Sequence, residues 1–396
     1  MKKKLVVIDN DHRRTGSTAS LKYLLNELTN EFNVVVLTPK NNETAKECFG
    51  SKIQTIKYSN RYIAELSLFI HFSDGESFFS VDGIAKRIKN FIKLILGTVI
   101  FLKELVRLKP DLIYLNEYVV IQAGIAGKLL GVPTISHIRS RFLVGNTIRD
   151  FLRRTLILAF TDFRICISSV EADQFNHSNK TEVVGEFLNE SDFDIQINTM
   201  ESSLSGTIAQ PYFLFVGGIN RIKGTLDFIK ASTILIKQNV NCYFVIVGKI
   251  ISGGTAADVA YHKECLKEIE NFKERFIVLD EISSVGGLFR DSLCFVSANT
   301  LTHFSRPAIE AWAIGKPVIV SDTLHNRELV LDGVNGMLFK LGDYDDLANK
   351  MRTLFASEQL RNELGKKGNI IARERFSAGI NGKKIISIIN KLLIKD

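Results

Sequence analysis

Short runs of β-branched and aromatic residues alternate with stretches of helical period almost throughout this 396-residue chain, and that alternation constrains its fold more than any other feature. The runs fall at 4–9, 33–38, 111–115, 133–137 and 163–167, then at 212–217, 242–248, 275–279, 293–297 and 317–320. Strands joined through helices pair in parallel, so the pattern predicts an α/β fold of doubly wound parallel sheets. Between the two series, ESDFDIQINTMESSLSGTIAQP (190–211) has no helical period and is rich in Ser, Thr and Asp, as an interdomain linker is. The expected organisation is a domain at 1–190, a linker at 191–210, a second domain at 211–376 and a terminal helix at 377–396. About 200 residues per domain is enough for two separate cores.

Two segments of the second half carry chemistry. HFSRPAIEAWAIGKPVIVSD (303–322) reads as a polar turn, a short helix and a buried strand. Pro307 suits the first helical position and Gly315 the stop. Ile309, Trp312 and Ala313 share the face that packs inward, which leaves Glu310 on another face, in the first turn. PYFLFVGGINRIKGTLDFIKAS (211–232) is a strand, a glycine-rich turn and a helix whose buried face is Leu226, Ile229, Thr233 and Ile236. Gly217 and Gly218 let backbone amides approach a ligand, and Arg221 and Lys223 add two cations, a reasonable cradle for a diphosphate. The segment matches neither the Walker A pattern nor GxGxxG.

Together the two segments resemble the C-terminal half of the family 4 retaining glycosyltransferases, which have the GT-B fold. The tail residues Glu310, Ala311, Ala313, Gly315, Pro317, Val318 and Ile319 agree with that family's second motif, and DGVNGMLF (332–339) with the segment that follows it. The resemblance implies two Rossmann-like domains facing across a cleft, with the terminal helix crossing back to the first. It also implies a nucleotide-sugar donor of UDP or GDP type and a glycan or lipid-linked acceptor in surface polysaccharide synthesis. By the resemblance, Lys223 stabilises the leaving diphosphate and Glu310 holds the ribose. Gly217, Gly218, Arg221, Thr302, Phe304, Ser305 and Arg306 line the donor site. His137 in GVPTISHIRS (131–140) lies near the reacting sugar, with Arg139, Arg13 and Gly16 on the acceptor side. No protein nucleophile is implied, since the leaving phosphate assists deprotonation, and no cofactor or metal. Where the family has an Arg this chain has Gly218, and where it has a first Glu this chain has Thr302. These departures keep two alternatives open: a non-catalytic GT-B subunit that binds glycan or a partner transferase, and a nucleotide-sugar epimerase.

Bulk properties narrow the classes further. The DxD-like pairs Asp192/Asp194 and Asp343/Asp345 fall in the linker and at a helix cap, which disfavours a metal-dependent transferase. Five scattered cysteines without a CxxC pair argue for a reducing, cytoplasmic setting, and MKKKLVVIDND reads as a first strand, not a signal peptide. The formal charge of +8 concentrates in 85–111 and 139–160. Those segments are either helices with a solvated basic face or a peripheral contact with an anionic membrane surface; the apolar run from Phe91 to Leu102 is too short to span. No nucleic-acid module is present in the sequence.

Overall fold

A computed structural model describes residues 2–10, 16–58, 81–141, 148–176, 178–193, 208, 211–249, 255–282, 285–301 and 304–394. The first series contains β1 (Lys4–Ile8), α1 (Gly16–Glu31), β2 (Asn33–Thr38), α2 (Asn42–Phe49), β3 (Gln54–Lys57), α3 (Val81–Leu108) and β4 (Leu112–Leu115). It continues through α4 (Ile121–Leu130), β5 (Thr134–Ile138), α5 (Ile148–Phe160), β6 (Phe163–Cys166), α6 (Ser169–Ala172) and β7 (Thr181–Val183). The second series opens with β8 (Tyr212–Val216), α7 (Thr225–Lys237), β9 (Tyr243–Val247), α8 (Ala256–Glu270), β10 (Phe276–Leu279) and α9 (Gly286–Asp291). There follow β11 (Cys294–Ser297), α10 (Arg306–Ala313), β12 (Val318–Ser321), α11 (Leu324–Leu329) and β13 (Met337–Phe339). The chain closes with α12 (Tyr344–Ala356), α13 (Glu358–Phe376) and α14 (Ala378–Leu393).

Contacts divide the chain into two units, one made of Met1–Phe187 with Ala378–Asp396, the other of Leu188–Ser377. The first holds a seven-stranded sheet in the order β3-β2-β1-β4-β5-β6-β7, the second a six-stranded sheet in the order β10-β9-β8-β11-β12-β13. Every strand pairing in both sheets is parallel. All ten apolar runs form strands. The three further strands escape the pattern for a physical reason. β3 and β7 are partly exposed edges, and β13 is only three residues long.

In the first unit, Leu5, Val7, Leu112, Ile135 and Ile165 face α1, α2 and α14. The opposite side chains, Val6, Ile8, Ile113 and Leu115, face α3 and α4. α14 is integral to this core: Ile385, Ile386, Ile388 and Ile389 are buried, each contributing about 1.5–3 kcal/mol by area. Its Asn381 also donates to the carbonyls of Gly185 and Glu186. In the second unit, stacked aromatic rings fill one face. Phe213 lies 6.2 Å from Phe244, and Phe215 lies 5.1 Å from Phe228. On the other face, α10 packs on α13 so closely that Gly368 abuts the Trp312 indole. Residues 190–193 form a helical turn in which Asp192 accepts from the Asn189 amide at 2.8 Å, and most of the linker expected at 191–210 lies outside the described residues. Asp343 caps α12 through the Asp346 amide.

Candidate functional site

The strand order of the second sheet reverses between β8 and β11. Open α/β sheets bind ligands beyond the carboxyl ends of their strands at such a reversal. Two loops flank it, 217–224 after β8 and 298–305 after β11. They are joined to each other. The Thr300 amide donates to the Ile222 carbonyl at 2.9 Å, and the Thr300 hydroxyl donates to the Arg221 carbonyl at 3.2 Å. Gly224, at φ +70°, leaves no room for a side chain: a Cβ there would lie 1.9 Å from the Ala298 oxygen. Thr225 closes the first loop by donating its hydroxyl to the Gly218 carbonyl at 2.8 Å.

Lys223 stands in this loop with its stem against Gly217, where a Cβ would lie 2.9 Å from Lys223 Cγ. The side chain is half-buried, and among the described residues its ammonium has neither a carboxylate nor a hydrogen-bond partner. Burial holds its pKa below the ordinary lysine value. A half-buried cation with no counter-charge among the described residues, at the reversal point of a parallel sheet, is placed where an anion would be favoured.

The other residues expected here are placed differently. Gly217 and Gly218 both donate their amides to the Val247 carbonyl at 2.8 Å, so those N–H groups are not aimed at a diphosphate. The two glycines instead allow close approach: a Cβ on Gly218 would lie 2.1 Å from the Lys249 oxygen. Arg221 reaches Asp258 at 3.5 Å, within the box that Thr255 and Asp258 form at the start of α8. Because α10 begins at Arg306, Glu310 sits one residue further into the helix than its sequence position suggested, and it accepts from Arg306 Nε at 2.8 Å. Phe304 is buried against Phe376, 5.9 Å between ring centres, and Ser305 donates to Ser297 Oγ at 3.2 Å. Both support the loop instead of lining it. Thr302 and Arg13 lie outside the described residues.

The first sheet reverses between β1 and β4. Gly16 is the exposed first residue of α1, beyond β1. Beyond β4 stand Asn116 and Glu117, which sequence reasoning passed over. The signal was there in DLIYLNE, two polar residues closing a fully apolar run. Glu117 is buried, accepts from the Tyr118 amide at 2.9 Å and the Ser140 hydroxyl at 3.3 Å, and is pushed up by burial to about pKa 8. His137 is fully buried with Tyr114 and Phe187. Its Nδ1 lies 2.6 Å from the Tyr114 hydroxyl and 3.3 Å from an Arg139 nitrogen. Arginine can only donate, so Nδ1 accepts and Nε2 carries the proton. Burial first, then Arg139, holds the ring neutral. Arg139 donates to both Glu186 oxygens at 3.0 and 2.9 Å and to Asn116 Oδ1 at 3.2 Å. Glu186 also accepts from Ser20 of α1. The expectation of an acceptor-facing His137 and Arg139 is therefore corrected: the imidazole is enclosed and the guanidinium is neutralised within the unit.

Two α/β units, each built on an all-parallel sheet, are the architecture of GT-B proteins, and solved structures similar to this chain share it. Residues 206–370, within the second series of strands and helices, match the family described as Glycosyl transferases group 1. The chain is 22% identical over 202 residues to the capsular polysaccharide biosynthesis glycosyltransferase CapM of Staphylococcus aureus, an alignment covering 51% of this chain and 52% of CapM. It thus spans about half the length of that relative. It is 24% identical over 292 residues to a UDP-Gal:alpha-D-GlcNAc-diphosphoundecaprenol alpha-1,3-galactosyltransferase of Escherichia coli, covering 69% of this chain and 71% of that one. The fold is that of Anabaena Alr3699/HepE, whose structure holds UDP and glucose: TM-score 0.74 at 18% identity, covering 98% and 99% of the two chains.

Proposed function

We propose that the protein is a glycosyltransferase that moves a sugar from a nucleoside diphosphate sugar to a glycan or lipid-linked acceptor, in the making of a polysaccharide or glycoconjugate. The observation that carries this is Lys223: half-buried, without a counter-charge among the described residues, and at the reversal point of the second sheet. In that role its ammonium neutralises the charge that grows on the departing diphosphate, the kind of fixed electrostatic term that dominates such transfers. Glu310, held by Arg306, offers its remaining acceptor capacity to ribose hydroxyls. The reaction is read as retaining, with the leaving phosphate oxygen taking the acceptor's proton, and as metal-independent. Uridine donors come first for testing, because the E. coli relative is named for UDP-Gal and the HepE structure holds UDP.

The test is release of UDP from UDP-glucose, UDP-galactose and UDP-N-acetylglucosamine, with lipid-linked and glycan acceptors, in EDTA. Turnover with one donor that falls about 100-fold in Lys223→Ala and in Glu310→Ala, with unchanged circular dichroism, is the expected result. Unchanged turnover in either variant sinks the site assignment. The pairing of Arg221 with Asp258 and of Arg306 with Glu310 favours one second reading, a non-catalytic subunit that binds glycan or a partner transferase. Failure to bind any nucleotide would select it. Donor conversion without acceptor would instead select an epimerase.

A further inference from the structure

The helices on one face of the first sheet carry an apolar surface that is exposed among the described residues. α3 is apolar on two sides. Phe101 and Leu105 point into the core, while Ile88, Phe91, Ile92, Ile95, Val99 and Val106 are exposed. Those six recur at helical spacing, so they form one stripe along the outer side of the helix. The exposure is large, 61% for Phe91 and 56% for Val99. α5 belongs to the same layer, its buried Ile157 packing with Ile121 of α4 and Ile138 of β5, and it exposes Phe151, Leu152 and Leu158. α4 lies between, in contact with both helices, and exposes Leu129.

Charge distinguishes this layer from its counterpart. In sequence, α3, α4 and α5 together hold ten Lys and Arg against three Asp and Glu, of which Lys93, Arg153 and Asp150 are buried, leaving eight against two; α1, α2 and α14, on the other face, hold five against four. Exposed Lys103 sits one helical turn from both Val99 and Val106, so a cation borders the stripe directly. No described helix is long and apolar enough to cross a membrane. A core-facing side, an exposed apolar stripe and a bordering excess of cations are the elements of a helix that lies in a lipid interface.

We infer that the α3–α5 face docks onto an anionic lipid surface, with the α3 stripe set among the acyl chains and the bordering cations on the headgroups. The apolar side chains supply burial, and the cations select the sign of the surface. The inference stands on the first unit alone and holds whether or not donor turnover is found.

The experiment is flotation of the full chain with vesicles of phosphatidylcholine alone and with about 30% phosphatidylglycerol. Binding to the anionic vesicles, weakened by salt, and at least about tenfold weaker in Ile92→Asp/Val99→Asp, is the expected result. Both positions are exposed, so an unchanged melting temperature shows that the variant is folded. Phe91→Trp gives an independent readout. Its fluorescence should be quenched by brominated phosphatidylglycerol, whereas Trp312 is fully buried in the second unit and should not respond. Equal binding to neutral vesicles, or no binding to either, overturns the inference. So does a concentration-dependent dimer that the double variant abolishes, which would assign the face to a second copy of the chain.

Discussion

Burial opposes ionisation at both Lys223 and Glu117, and each yields a pH-dependent prediction. Burial lowers the Lys223 pKa, so the folded state binds fewer protons than the unfolded chain between that lowered value and the ordinary lysine value of about 10.5. Stability contributed by this group therefore rises with pH across that window. Replacing the cation by Met removes the penalty. Lys223→Met should melt higher than the wild type at pH 7 while losing nucleotide, a split that a merely structural lysine would not show. Glu117 has the opposite sign. Its pKa is raised to about 8 from an ordinary 4.5, so its cost is absent at low pH, grows as pH rises between those values, and is full above 8. Glu117→Gln should therefore stabilise more at pH 9 than at pH 5, measured by urea unfolding. An equal gain at both pH values would contradict the account. Neither residue's environment was legible from its neighbours in sequence. The glycine turn announced Lys223, but the lack of a counter-charge for it among the described residues is a matter of tertiary structure.

At the scale of elements, the site depends on two loops meeting, and glycine makes the meeting possible. Gly224→Ala would set a methyl group against the Ala298 carbonyl at a positive φ. The cost should be about 1–3 kcal/mol of stability, with donor affinity reduced as 217–224 parts from 298–300, checked by denaturation and nucleotide titration together. Nine of the ten strands read from sequence are mostly buried on both faces and so are near-continuous apolar runs; the edge strand β10 was readable from its FIVL run although it is only partly buried. The start of α10 was readable from Pro307, yet one residue's difference in where the helix begins moved Glu310 from the first turn to the second and within reach of Arg306. The i,i+4 spacing of Arg306 and Glu310 in sequence is that of a helical ion pair, and the structure forms it at 2.8 Å. His137 shows the same limit. A histidine at the end of a strand looks accessible in sequence, but period-two alternation sets it on the side of β5 covered by α1, with Tyr114 beside it.

For the whole molecule, the chain leaves the first unit at 187 and re-enters it at 378, so α14 closes a core begun at the N-terminus. Truncation before Ala378 should unfold the first unit, through loss of four buried isoleucines and of the Asn381 bonds, and leave the second folded; limited proteolysis would show the survivor. The central claim is that the β8–β11 reversal point holds a nucleoside diphosphate through Lys223. Its most direct test is thermal shift with UDP, GDP, ADP and CMP in EDTA, for the wild type and Lys223→Met. A ligand at about 100 times its dissociation constant adds about 2.7 kcal/mol to the state that binds it. The account predicts a clear shift with one diphosphate, indifferent to the chelator and lost in the variant. A shift of equal size in Lys223→Met, or none with any nucleotide, would contradict it.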